Sequence, residues 1–176
     1  MQITNEQLHK IMPAASTTDV ALYLPHLNRS MPEYAIDTPL RAAHFIAQIG
    51  HESGSLRYVE EIASGRQYEG RSDLGNRYPG DGERFKGRGL LQLTGRANYT
   101  ALTQHTGYDF VGEPQALSDP RYAVLSACWF WQCRHLNRWA DADDLSAITR
   151  RINGGLNGIE DRRAFLQRAK EVMQCL

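Results

Sequence analysis

Eight of the fifteen glycines in this 176-residue chain fall between positions 65 and 95: Gly65, Gly70, Gly75, Gly80, Gly82, Gly87, Gly89 and Gly95. Glycine at that density breaks helices and permits tight turns or close approach of backbone to a ligand. The chain therefore divides into helical sequence, a long non-helical middle and helical sequence again. The middle reads as an irregular loop or a short β-hairpin. A loop of this length inside a compact domain is usually functional.

Helical signals dominate elsewhere. Thr4-x-x-Gln7 has the form of a capping box and opens a helix to about Met12. A second helix covers about 17–28, with Pro25 as a kink or stop. The third is the clearest. Thr38 is an N-cap, Pro39 sits at the first helical position, and Ala42, Phe45, Ile46 and Ile49 recur at helical spacing beyond Gly50. Further helices are predicted from Arg96 to about His105, closed by Gly107, and from the Asp119-Pro120 cap toward Leu136. Another starts at Asp143 or Asp144 and runs to Ile152, and the last covers about 160–174. Within the third from last, Trp129-Phe130-Trp131 reads as core rather than as a sugar platform.

Hydrophobic residues make up 41% and charged residues 23%, with formal charge zero, which fits one globular domain of ordinary composition and not a basic nucleic-acid binder. No apolar run reaches the roughly 18 residues of a membrane span. The opening residues lack a basic and an apolar signal region. Three cysteines without a Cys-x-x-Cys pattern point to reduced thiols and synthesis in a cytoplasm. Residues 66–96 carry seven basic and four acidic side chains, a local excess of three positive charges, read either as a solvated loop or as a wall that meets an anionic ligand.

Glu52 lies three residues beyond Ile49, on or beside the apolar face of the third helix and near its end. A carboxylate there is costly unless satisfied. It is either a general acid or the partner of an arginine in a structural pair. Glu61, with Glu60 beside it, follows nine residues later and comes from a different element. Two carboxylates from different elements are the equipment of glycoside hydrolysis. His51-Glu52 is not followed by a histidine at position 55, so a zincin site fails, and no metal site or organic cofactor is expected. Gly87-Arg88-Gly89 lacks the remaining residues of a dinucleotide or phosphate loop.

Three segments together resemble glycoside hydrolase family 19, which contains plant and bacterial chitinases and many bacteriophage endolysins. They are residues 47–61 (AQIGHESGSLRYVEE), residues 85–99 (FKGRGLLQLTGRANY), and Ile152-Asn153-Gly154-Gly155 with Asp161-Arg162. The resemblance covers about 38–170 and implies one catalytic domain over 1–176. It implies a mainly α, lysozyme-like, two-lobed fold with the glycine-rich loop beside the cleft. It places the general acid at Glu52, the general base at Glu61, and Thr94 on the attacking water. Glu60 and Glu69 are rival bases. His51, Gln92, Asn98, Tyr99, Asn153 and Arg162 are implied as substrate-binding residues, with Gly87 and Gly89 as backbone that approaches sugar. Ala97 stands where plant members carry an aromatic residue. The family inverts at the anomeric carbon, which needs carboxylates about 6.5–9.5 Å apart.

The expected substrate is the glycan strand of peptidoglycan, cut between N-acetylmuramic acid and N-acetylglucosamine. The expected protein is a monomeric endolysin that accumulates in the host cytoplasm, binds no nucleic acid, does not insert into membrane and is released to the wall by a separate holin. Chitinase and lytic transglycosylase are the alternatives.

Overall fold

In the computed structural model, which describes residues 2–175, nine α-helices follow one another. They are α1 (Asn5–Ile11), α2 (Thr17–Glu33), α3 (Pro39–Glu52), α4 (Asp81–Arg84), α5 (Arg96–Thr106), α6 (Pro120–Cys133), α7 (Asn137–Asp141), α8 (Leu145–Asn153) and α9 (Ile159–Met173). The described residues contain no strand. Two isolated bridges, Glu60 to Arg88 and Arg88 to Leu93, are the only β pairing in the glycine-rich middle, which is a loop rather than a hairpin.

The caps read from the sequence are formed. Thr4 Oγ1 accepts from the Gln7 amide at 3.1 Å while Gln7 Oε1 accepts from the Thr4 amide at 2.9 Å. Thr38 accepts from the Arg41 amide at 3.2 Å, with Pro39 at the first position of α3. The sequence reading of α3 as an amphipathic helix understates it. Residues 42–50 are all buried, His44 and Gln48 included, because other helices cover every side of it. Such a helix is the centre of a bundle rather than one of its faces. α9 packs along it, and Gly50 lets them approach: a Cβ there would lie 3.1 Å from both Met12 and Phe165.

α2 runs five residues past Asn28, straight through Pro25. Pro25 faces solvent, while Val20, Tyr23, Leu27 and Met31 form a buried stripe on the side that packs against α6. Tertiary packing overrides the proline. α6 stops at Cys133, short of Leu136, because His135 turns at φ 52°. The short α4 and α7 hold too few residues to show a period in sequence. Trp129 and Trp131 are core, and Trp131 sets its ring edge-on to Phe45 at 5.3 Å.

The loop between α3 and α5 is held by polar clasps. Asp81, 1% exposed, accepts from the Arg77 and Tyr78 amides at 2.9 and 3.0 Å and from both nitrogens of the Arg96 fork at 2.9 and 2.6 Å. Buried Asn76 donates to the Tyr68 carbonyl and accepts from the Arg96 amide. Glu69 accepts from the Gly80 and Gly82 amides at 2.7 and 2.8 Å. Gly65 and Gly82 meet face to face: a Cβ on Gly65 would come within 2.5 Å of the Gly82 carbonyl oxygen. The local positive excess is mostly spent on these and similar contacts. Arg66, Arg71, Lys86, Arg88 and Arg96 pair with carboxylates, and Arg84 donates to two backbone carbonyls.

The Arg96 guanidinium holds the Asp81 carboxyl below the usual carboxylate range, against burial and with help from the two amides. A depressed folded value stabilises the fold above the ordinary carboxyl range, and that stability is lost as pH falls through the folded value. Asp81→Ala is expected to destabilise the protein by about 2–4 kcal/mol at pH 7, since it strands a guanidinium and two amides. In melts on both proteins, the gap from wild type should narrow as pH drops below about 4.

Candidate active site

The loop delivers one carboxylate and the end of α3 delivers another. Glu52 is the last residue of α3, and its side chain is 20% exposed. Its Oε1 accepts from Arg162 Nη2 on α9 at 2.5 Å. No donor among the described residues reaches Oε2. Arg162 is 1% exposed, so its charge must be fully partnered. It is: Nη1 donates to Gln48 Oε1 at 2.5 Å, and Nε donates to the Asn157 carbonyl at 3.2 Å. Gln48 in turn donates to Thr149 Oγ1 at 3.3 Å, and Thr149 donates to the Leu145 carbonyl. The structure shows the arginine pairing read from the sequence and leaves room for an acid role beside it. Glu52 is an arginine's partner through one oxygen and open through the other.

After α3 the chain reverses tightly. Ser53 Oγ donates to the Ile49 carbonyl and accepts from the Leu56 amide, and the Tyr58 amide donates back to the Ser53 carbonyl. Only three further residues, about 10 Å of extended chain at most, lead to Glu61. Its backbone amide donates to the Gly87 carbonyl at 2.9 Å. Its Oε1 accepts from Gln67 Nε2 at 2.9 Å and from the Tyr68 hydroxyl at 3.0 Å. Its Oε2 accepts from the Gly87 amide at 3.1 Å. Glu61 Oε2, Thr94 Oγ1 and Gln92 Oε1 ring the bare side of Gly87, at 3.2, 3.3 and 2.9 Å from where a Cβ would stand. Thr94 spends its one donor on the Gln92 carbonyl at 2.9 Å, so its hydroxyl oxygen can only accept from anything else.

The structure brings Glu61, Thr94 and Gln92 together, and Asn98 supports them by donating to the Thr94 carbonyl at 2.7 Å. Gln92 adopts φ 52° and donates through Nε2 to the Gly89 carbonyl, which turns its Oε1 toward Gly87. Other expected contacts need correction. Tyr99 is fully buried, its hydroxyl donating to the Lys86 carbonyl and accepting from Arg88, so it is core rather than a sugar contact. Burial pushes its phenol up to about 12. Arg162 faces Glu52 from inside the protein instead of lining a cleft. His51 is held by Asp161 at 2.6 Å, with its ring packed on Gly158. Asn153 is exposed at the end of α8, where it donates to the Asn157 carbonyl. The close approach at Gly89 is to Ser126 of α6, not toward ligand.

The rival carboxylates are engaged elsewhere. Glu69 clasps the loop amides. Burial raises the Glu60 carboxyl, but the Lys86 ammonium and the Arg88 guanidinium outweigh it and hold the group below its ordinary value. Sequence reasoning missed Gln48, Thr149, Gln67 and Tyr68. Gln48 had a signal, since it sits one turn before Glu52 on the same helix face. Gln67 and Tyr68 lie in a loop with no period to read. No group of His, Cys, Asp or Glu among the described residues could hold a metal ion.

A mainly helical fold that presents two differently anchored carboxylates from separate elements fits the acid–base equipment of a glycoside hydrolase. The family model described as Chitinase class I matches residues 40–145, and the chain belongs to glycoside hydrolase family 19. A glycosyl hydrolase family 19 domain-containing protein of Haemophilus influenzae is 31% identical over 92% of this chain and 92% of its own length. An endochitinase of Arabidopsis thaliana is 37% identical over 64% of this chain, which spans only 39% of the plant protein. The crystal structure of chitinase C from Streptomyces griseus shares the fold, with TM-score 0.78 at 23% identity over 98% of this chain and 76% of that one. A class IV chitinase from Zea mays does likewise, with TM-score 0.72 at 24% identity over 98% and 91%.

Gly87 offers a sharp test of this geometry. Gly87→Ala adds one methyl that must displace Gln92, Glu61 and Thr94 oxygens, all at the ends of side chains. Turnover is expected to fall about 10²-fold, the scale of a 1 Å misplacement. The melting temperature should stay within about 4 °C, since only side-chain ends move. Full turnover by the folded variant would show that these three groups do not act together.

Proposed function

We propose that this enzyme is a peptidoglycan-degrading endolysin that hydrolyses the β-1,4 bond between N-acetylmuramic acid and N-acetylglucosamine with inversion. The observation that carries the hydrolytic reading is the different anchoring of the two carboxylates. Glu52 is fixed by Arg162 through Oε1, which leaves Oε2 to deliver a proton to the glycosidic oxygen. Glu61 has Oε1 saturated by Gln67 and Tyr68, which leaves Oε2 as the oxygen that takes a proton from water. Thr94 can only accept. A water between Thr94 and Glu61 therefore donates to both and turns its lone pair toward the anomeric carbon. Asn98 and Gln92 keep Thr94 in place, and Asn153 is available to sugar from α8.

As the bond breaks, the leaving oxygen gains the Glu52 proton. The water oxygen bonds the anomeric carbon from the opposite side, and its proton passes to Glu61. No cofactor takes part in these steps. A lytic transglycosylase needs one essential acid and no water-activating base, so the three donors built around Glu61 favour hydrolysis. Chitin is the second reading, favoured by the likeness to plant endochitinases. The likeness to a family 19 protein of Haemophilus influenzae, over nearly the whole of both chains, names no polymer and is compatible with peptidoglycan. Free Cys128, Cys133 and Cys175 suit synthesis in a host cytoplasm, followed by release to the wall by a holin as a monomer.

Wild type, Glu52→Gln and Glu61→Gln are to be given purified Gram-negative peptidoglycan and colloidal chitin in parallel, with products read by mass spectrometry. Reducing muropeptides from wild type, no release from chitin, and losses of 10²–10⁴-fold or more in both folded variants are expected. Cleavage of chitin alone would replace the substrate, and anhydro-sugar products would overturn hydrolysis.

A further inference from the structure

Of the seven basic side chains in residues 66–96, five pair with carboxylates and Arg84 donates to backbone carbonyls, while Arg77 alone has no acceptor of either kind among the described residues. It is exposed and borders a surface pocket of about 320 Å³ on the outer side of α5. Tyr78, Thr100 and Gln104 also line this pocket, over a floor that includes Ala97 and Ala101. The polar ends of Tyr78, Thr100 and Gln104 likewise have no hydrogen-bond partner among the described residues. Arg96 contributes to the wall, but Asp81 neutralises it, and its guanidinium stands 4.9 Å from the Tyr78 ring centroid and steadies that ring. The pocket therefore gathers one guanidinium without an acceptor, one 62% exposed phenol ring and two neutral polar groups around a small apolar floor.

We propose that this pocket is a second substrate-binding site, which takes a carboxylate of the peptide branches carried by the glycan. The inference rests on the peptidoglycan reading above and deepens it. A guanidinium matches a carboxylate in charge and in two-point geometry. The Tyr78 ring and the alanine floor suit the aliphatic parts of a short peptide. The two places share a helix. Asn98 on the first turn of α5 holds the Thr94 backbone, while Ala97 and Thr100 of the same helix line the pocket. Chitin carries no such branch, so the site would discriminate between the two polymers without touching the sugar.

The test uses soluble peptidoglycan strands that retain their peptides, and the same strands stripped by an amidase, with wild type, Arg77→Ala and Arg77→Lys. Arg77→Ala is expected to raise KM about tenfold on peptide-bearing strands with kcat within twofold, the size of one lost charge-assisted contact. It should leave KM on stripped strands unchanged, and Arg77→Lys should recover part of the loss. Equal effects on both substrates, or none on the peptide-bearing strands, would overturn the site while leaving the peptidoglycan reading in place. Failure of wild type to cut either form would remove that reading and the site with it.

Discussion

A buried guanidinium organises the centre of this enzyme. Arg162 sits inside the protein at the start of α9, where an unpaired charge would be costly by several kcal/mol. Its three partners come from two segments: Glu52 and Gln48 on α3, and the Asn157 carbonyl in the turn before α9. The same bonds that satisfy the arginine tie the end of α3 to α9 and fix the rotamer of Glu52. Stability and site geometry are one constraint here. The close helix contact at Gly50, a few residues earlier on α3, brings the two elements near enough for the pair to form.

The second carboxylate is placed by different means. Glu61 lies in a loop, where backbone position is not guaranteed by a helix. The loop compensates with carboxylate and amide clasps at Asp81, Asn76 and Glu69, each satisfying backbone amides or carbonyls that would otherwise face each other or water. Gln67 and Tyr68 are thereby set against one oxygen of Glu61, and the Gly87 amide against the other. Most of the loop's arginines serve this internal scaffold. The positive excess seen in the sequence is consequently not a field of free cations, and what remains unpaired is concentrated at Arg77.

Much of the fold was legible residue by residue. The Thr4 and Thr38 caps, Pro39, the Asp119-Pro120 start of α6 and the glycines that break helicity between α3 and α5 all act locally, and local signals survive in a sequence. The extension of α2 through Pro25 was not legible, because packing on α6 holds it. Nor was the burial of His44 and Gln48, since an apolar period shows one face and cannot show that a helix is covered on all sides. Among the candidate site residues, Glu52, Glu61, Thr94, Gln92 and Asn98 were singled out by motif, and the structure brings the last four together. Tyr99 and Arg162 were singled out too, but both face the interior, because a motif records which residues recur together and not whether they face ligand or core.

The sequence by itself determined the helices, the glycine-rich interruption, the family and the two carboxylates nine residues apart, since each is written in short-range pattern. Tertiary structure alone decided what each carboxylate touches. Arg162 reaches Glu52 across 110 residues of chain, and Thr94 meets Glu61 across the bare face of Gly87. Contacts over such separations depend on how helices and loop pack together, and no local spacing encodes them.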